Sequence, residues 1–131
     1  MRNKLVIVFI SIFAAAILVG CGTTHLAIHE RITHDEAVEM MAYQNVIILD
    51  VRTLDEFNTG HIPNAVSLPV DEIVDAVTLM IPDKEQIILI YCRNGRRSAD
   101  ATAILVDMGY RGVFDFGCII DWTGEIQTVS H

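Results

Sequence analysis

Cysteine and positive charge are both scarce in this chain, which has three cysteines, and nine lysines and arginines against seventeen aspartates and glutamates. Three cysteines are too few for a disulfide framework. A formal net charge of −8 describes an acidic surface that stays soluble and repels polyanions, which argues against nucleic acid as a partner. His25, His29, His34 and His131 share no metal-ligand spacing, so they are read as surface residues and no metal site is expected. There is no internal repeat and no low-complexity segment. The one long apolar run, Leu5 to Gly20, has sixteen residues. As a helix it reaches only about 24 Å, against roughly 30 Å of bilayer hydrocarbon.

That run follows Arg2 and Lys4 and ends on small residues and Cys21. A basic start, an apolar middle and a cleavage-type ending make an export signal. Leu18-Val19-Gly20-Cys21 also resembles the lipobox of bacterial lipoproteins, in which the cysteine is acylated and becomes the first mature residue. The resemblance implies a signal peptide over residues 1–20, a lipid on Cys21 and an extracytoplasmic, membrane-anchored domain. An uncleaved anchor with an incidental cysteine is the alternative. Loss of Arg2 and Lys4 leaves seven basic residues against seventeen acidic ones, a net charge of −10. Of those seven, Arg93, Arg96 and Arg97 fall together and the others are scattered.

Gly22 to Glu30 is short and unpatterned and reads as a tether, with one folded domain from Arg31 to the C-terminus, residues 31–131. Thr33 and Glu36 form a capping box that opens a helix ending at Asn45. Val46 to Asp50 is an apolar run of strand length, of the kind found where a parallel sheet is covered on both faces. A short helix over Thr53–Asn58, a strand over Ala65–Leu68 and a helix over Asp71–Leu79 follow. Gln86 to Tyr91 is predicted as the central strand, Ser98 to Met108 as a helix, and Val113 to Phe116 as the last strand. Alternating strands and helices imply an α/β fold, a small doubly wound parallel sheet with helices on both faces. Its ligand site lies beyond the carboxyl ends of the strands.

Cys92 leaves the predicted central strand and is followed by Arg93, Asn94, Gly95, Arg96 and Arg97. A loop of this kind turns back so that the next helix aims its free N–H groups at the sulfur. Gly95 permits the left-handed turn that makes successive N–H groups an anion nest. Together with the nearby guanidinium groups, such a cradle favours a thiolate and an anionic donor. Cys118, the remaining cysteine, falls just after the last predicted strand, near the same end of the sheet.

Three blocks of residues resemble the rhodanese family. Cys92 through Ser98 resembles the active-site loop, Asp50-Val51-Arg52 with Glu56 and Gly60-His61-Ile62-Pro63 the earlier signature, and Gly109-Tyr110 with Gly117 and Trp122 the closing one. The resemblance covers roughly Asp50 to Gly124. It implies a sulfurtransferase in which Cys92 attacks a small anionic donor such as thiosulfate, holds the outer sulfur as a persulfide and passes it to cyanide or a thiol. In that reading the N–H groups of Arg93 through Arg97 cradle the persulfide and the arginine side chains attract the donor. Asp50, Arg52 and Glu56 brace the loops, His61 serves a turn, and no metal or organic cofactor is needed. The six-residue span from Cys92 to Arg97 matches the sulfurtransferases, whereas related phosphatases have one residue more between cysteine and arginine.

Two positions depart from the family pattern. Asn64 and Cys118 both stand where a glycine is usual, and asparagine tolerates left-handed backbone. Cys118 is either a small apolar filler or a thiol that resolves Cys92. Two further functional readings stay open. One is a relay module that carries persulfide to a protein acceptor with little turnover, and the other is a redox module built on Cys92 and Cys118.

Overall fold

A computed structural model describes residues 28–129. The predicted signal, Cys21, His25 and His131 lie outside them. The elements in chain order are β1 (Ile28–Arg31), α1 (His34–Tyr43), β2 (Val46–Asp50), α2 (Leu54–Thr59), β3 (Val66–Ser67), a 3-10 turn (Val70–Glu72), α3 (Ile73–Met80), β4 (Ile87–Cys92), α4 (Arg96–Asp107), β5 (Gly112–Cys118) and a second 3-10 turn (Ile119–Asp121). The five strands form one sheet in the order β1-β5-β4-β2-β3, and every neighbouring pair is parallel. This is the α/β architecture that the alternating pattern implies.

The apolar runs of β2 and β4 are continuous because both faces of the sheet are covered. Successive residues of a strand point to opposite faces. Leu49, Ile88, Ile90 and Val113 accordingly pack with Ile73 and Val77 of α3 and with Ala101 and Leu105 of α4. Ile48, Leu89, Tyr91 and Phe116 pack on the other face with Ala37 of α1. The predicted capping box opens α1: Glu36 N–H donates to Thr33 Oγ1 at 3.2 Å, and Thr33 N–H donates to Glu36 Oε2 at 2.7 Å.

Tyr110 anchors α3. Its ring is buried, its hydroxyl donates to the Ile81 carbonyl at 2.6 Å, and Lys84 Nζ lies 3.8 Å from its ring centre. Tyr110→Phe is expected to leave that carbonyl without its side-chain donor and to cost about 1–2 kcal/mol, read as a lower urea midpoint at unchanged slope.

The largest difference from the sequence reading is β1. Ile28 to Glu30 falls in the stretch read as tether, yet Ile28–Arg31 pairs along β5 from Gly112 to Asp115. The folded part therefore begins before Arg31. Its exposed His29, Glu30 and Arg31 carry no alternation, and the strand exists because β5 offers it an edge. The helix after Cys92 also begins earlier than predicted, at Arg96, with Gly95 as its left-handed N-cap at φ +90°. The last strand extends to Cys118, β3 shrinks to Val66–Ser67, and Asp71 belongs to the 3-10 turn that precedes α3. Asn64 does take left-handed backbone, at φ +66°.

Candidate active site

Cys92 is the last residue of β4 and is fully buried. Only Arg93, Asn94 and Gly95 separate it from α4. Gly95 N–H donates to Cys92 Sγ at 3.0 Å, and the thiol lies 3.5 Å from Ser98 Oγ. Ser98 in turn donates to the Gly95 carbonyl at 3.1 Å, which pins the turn. A negative charge on Sγ is thus met by a backbone N–H and by the positive end of the twelve-residue α4. Asn94 Oδ1 accepts the Arg96 N–H at 3.4 Å.

Arg97 is engaged by a carboxylate. Its guanidinium makes a two-pronged pair with Glu56, Nη1 to Oε2 at 2.7 Å and Nη2 to Oε1 at 2.9 Å, joining α4 to α2. Glu56 also accepts the Thr53 N–H at 3.0 Å, as the third-position partner of Thr53 in the capping box that opens α2. The bond from Arg97, with help from Thr53 and against partial burial, holds the Glu56 carboxyl at about 2 instead of its ordinary 4.5. Glu56 likewise holds Arg97 above the usual arginine range. Arg93 and Arg96, in the loop and at the first position of α4, are both exposed.

Glu56→Gln is expected to cost about 1 kcal/mol through the pair and the cap. The carboxyl is depressed on folding, so its contribution is complete above about pH 4.5 and fades as pH falls toward about 2. Urea titrations of both chains across that range check this, since their difference closes at the acid end.

Asp50 and Arg52 form a second brace at the end of β2. Both are buried. Arg52 Nη2 donates to Asp50 Oδ2 at 2.6 Å and to the Gly60 carbonyl at 2.7 Å, and its Nε donates to Oδ1 at 3.0 Å. Burial disfavours the charge on Arg52, but the Asp50 bonds outweigh it and the guanidinium stays above its ordinary range. Tyr91, which sequence reasoning treated as one more apolar strand residue, completes this network. Its hydroxyl donates to Asp50 Oδ2 at 2.6 Å and accepts the Ile62 N–H at 3.1 Å. Burial and the Asp50 carboxylate push the Tyr91 phenol well above its usual range. His61 stacks on Phe57 with centroids 3.7 Å apart and places Nδ1 2.9 Å from the Phe57 carbonyl. Its backbone N–H and carbonyl pair with Gln127.

Cys118 and Arg31 lie on the other side of the loop. A Cβ placed on Gly95 would sit 3.6 Å from Cys118 Sγ and 3.2 Å from Arg31 Nη2, so both side chains border the active-site turn. Both cysteines are free thiols. Arg31 carried no signal in the sequence, because its strand was invisible there.

A buried thiol at the end of a central parallel strand, under a short loop closed by a helix N-terminus, is the feature around which this α/β fold is arranged. A sequence model described as the Rhodanese-like domain matches residues 33–118. The thiosulfate sulfurtransferase PspE of Escherichia coli is 33% identical over 56% of this chain and 70% of its own length. The thiosulfate sulfurtransferase GlpE of Coxiella burnetii is 31% identical over 66% of this chain and 78% of its own. Among solved structures, a rhodanese with anions from E. coli superposes with a TM-score of 0.60 at 29% identity, covering 63% of this chain and 98% of that one. A human single-domain sulfurtransferase gives 0.64 at 25% identity over 70% of this chain and 93% of that one. The chain belongs to the rhodanese-like domain family. Its fold and loop are those of a rhodanese-type sulfurtransferase.

Proposed function

We propose that this enzyme works outside the cytoplasm, anchored through a lipid on Cys21, and passes sulfane sulfur from a small anionic donor such as thiosulfate to a thiophilic acceptor. The observation that carries the chemistry is the Gly95 N–H aimed at Cys92 Sγ at 3.0 Å, at the N-terminus of α4. The Cys92 thiolate attacks the outer sulfur of thiosulfate. A Cys92–sulfur bond forms, the donor's S–S bond breaks and sulfite leaves with the electron pair. The negative outer sulfur of the persulfide then lies in the loop, where backbone N–H groups favour anions. Cyanide, or a thiol of a small molecule or protein partner, attacks that sulfur and returns Cys92 as thiolate.

Arg93 and Arg96 concentrate positive charge at the mouth of an otherwise acidic chain, which raises the local concentration of an anionic donor. Arg97 and Glu56 keep the loop closed. Support for the location comes from sequence: Arg2 and Lys4, the apolar run to Gly20, and Cys21 seven positions before the first strand.

The test has two arms. Thiosulfate is added to the full-length chain and its intact mass followed, with thiocyanate assayed after cyanide. Uptake of one sulfur that cyanide discharges supports the chemistry. Labelled palmitate supplied to cells making the chain and its Cys21→Ser variant tests the anchor. Label in both, or in neither, would overturn lipidation at Cys21.

A further inference from the structure

The β4 and β5 strands pair Ile88 with Val113, Leu89 with Phe114 and Ile90 with Asp115, and then the register slips: Tyr91 pairs with Gly117 and Cys92 with Cys118. Phe116 is the extra residue of a bulge. Gly117 carries it at φ +90°, and its N–H is held by Asp115 Oδ1 at 2.9 Å. The bulge changes which face Cys118 occupies. Phe114 and Phe116 pack on the α1 face, and uninterrupted alternation would send residue 118 there as well. One inserted residue reverses that parity. Cys118 comes level with Cys92 on the α4 side, with its sulfur bordering the Gly95 turn whose N–H touches Cys92 Sγ.

Register partners on adjacent strands lie about 4.8 Å apart, within the roughly 4.4–6.8 Å between α-carbons that a disulfide spans. The opening of the site thus holds a second thiol placed to reach the first. Arg31 stands over the same spot: its Nη2 would lie 3.0 Å from a Cβ on Gly117, and its ion pair to Asp115 is long, at 3.9 Å.

Resting on the sulfurtransferase reading above, we propose that Cys118 is a resolving thiol that discharges the Cys92 persulfide when no external acceptor arrives. Cys118 Sγ attacks Cys92 Sγ. The Cys92–Cys118 bond forms, the persulfide S–S bond breaks, and the outer sulfur leaves as hydrosulfide carrying the proton from Cys118. Cys118 sulfur is oxidised and the outer sulfur is reduced, so the donor's sulfane sulfur is the oxidant. A thiol reductant reopens the disulfide for the next cycle.

Burial, then Asp121, push the Cys118 thiol up, with smaller upward pushes from Cys92 and Asp115, while Arg31 pulls it down. At neutral pH it waits as a thiol, and the step accelerates as pH rises and thiolate forms.

The experiment uses the full-length chain in detergent with Cys21→Ser, so that Cys92 and Cys118 are its two thiols. It is loaded with thiosulfate, freed of donor, and followed by intact mass and by sulfide release without acceptor. The one-sulfur adduct is expected to give way to a chain two hydrogens lighter than the reduced form, with one equivalent of sulfide. Adding Cys118→Ser or Cys118→Ala is expected to lengthen the adduct's life by about tenfold or more. Equal lifetimes with and without Cys118, or disulfides found only between two chains, would overturn the proposal. Failure of both chains to load would overturn the sulfurtransferase reading itself and this step with it.

Discussion

Cys92→Ser is expected to bring sulfur uptake from thiosulfate and thiocyanate formation to background, while the urea midpoint stays within about 1 kcal/mol of the parent. A hydroxyl is a far weaker nucleophile than a thiol at neutral pH, and among the described residues the hydrogen-bond partners at this position, Gly95 N–H and Ser98 Oγ, include no general base to activate it. The smaller oxygen still finds Gly95 N–H and Ser98 Oγ, the partners that surround Sγ now. The fold is therefore kept and the chemistry lost. Made in the Cys21→Ser chain, this variant keeps Cys118 as its one thiol, so residual uptake there would show that Cys118 loads by itself.

Asp50→Ala is expected to be the most damaging change for stability. Arg52 is buried beside Asp50, with a side chain 7% exposed, and its charge depends on that carboxylate. Removing one partner of a buried pair leaves an uncompensated charge and costs about 3–5 kcal/mol. The same change strands the Tyr91 hydroxyl, which now donates to Asp50. The expected result is a lower urea midpoint and weaker sulfur transfer, because β2 and β4 end together at this network. Asp50→Ala combined with Arg52→Met is expected to recover much of the loss, since the apolar side chain leaves no stranded charge. If the single and double variants unfold alike, the pair is not what holds this end of the sheet.

Sequence pattern carried far where local residues decide the outcome. The runs Val46–Asp50 and Gln86–Tyr91 declare buried parallel strands by their unbroken apolarity, and Thr33 with Glu36 declares a helix start. Cys92 was legible because a nucleophile, a glycine and three arginines fall within six residues. What could not be read depends on partners distant along the chain. β1 has no pattern of its own and borrows its structure from β5, eighty-odd residues later. Arg97 pairs with Glu56 across 41 positions, so a side chain suited to attracting a donor turns out to be tied down. Tyr91 looks like core filler until its hydroxyl is seen to meet Asp50. The bulge at Phe116 turns on one left-handed glycine, and Gly117 could have signalled it only weakly.

The two outermost strands are the shortest, four residues in β1 and two in β3. A row of open backbone N–H and C=O groups is what lets one sheet add to another, and brief, charged edges deny it. β1 covers seven-residue β5 with the exposed polar residues His29, Glu30 and Arg31. A chain shortened to begin at Arg31 would lose that shield and lay β5 open as a template for a second molecule. Residues without an apolar pattern of their own thus cover the edge at which neighbouring copies would join.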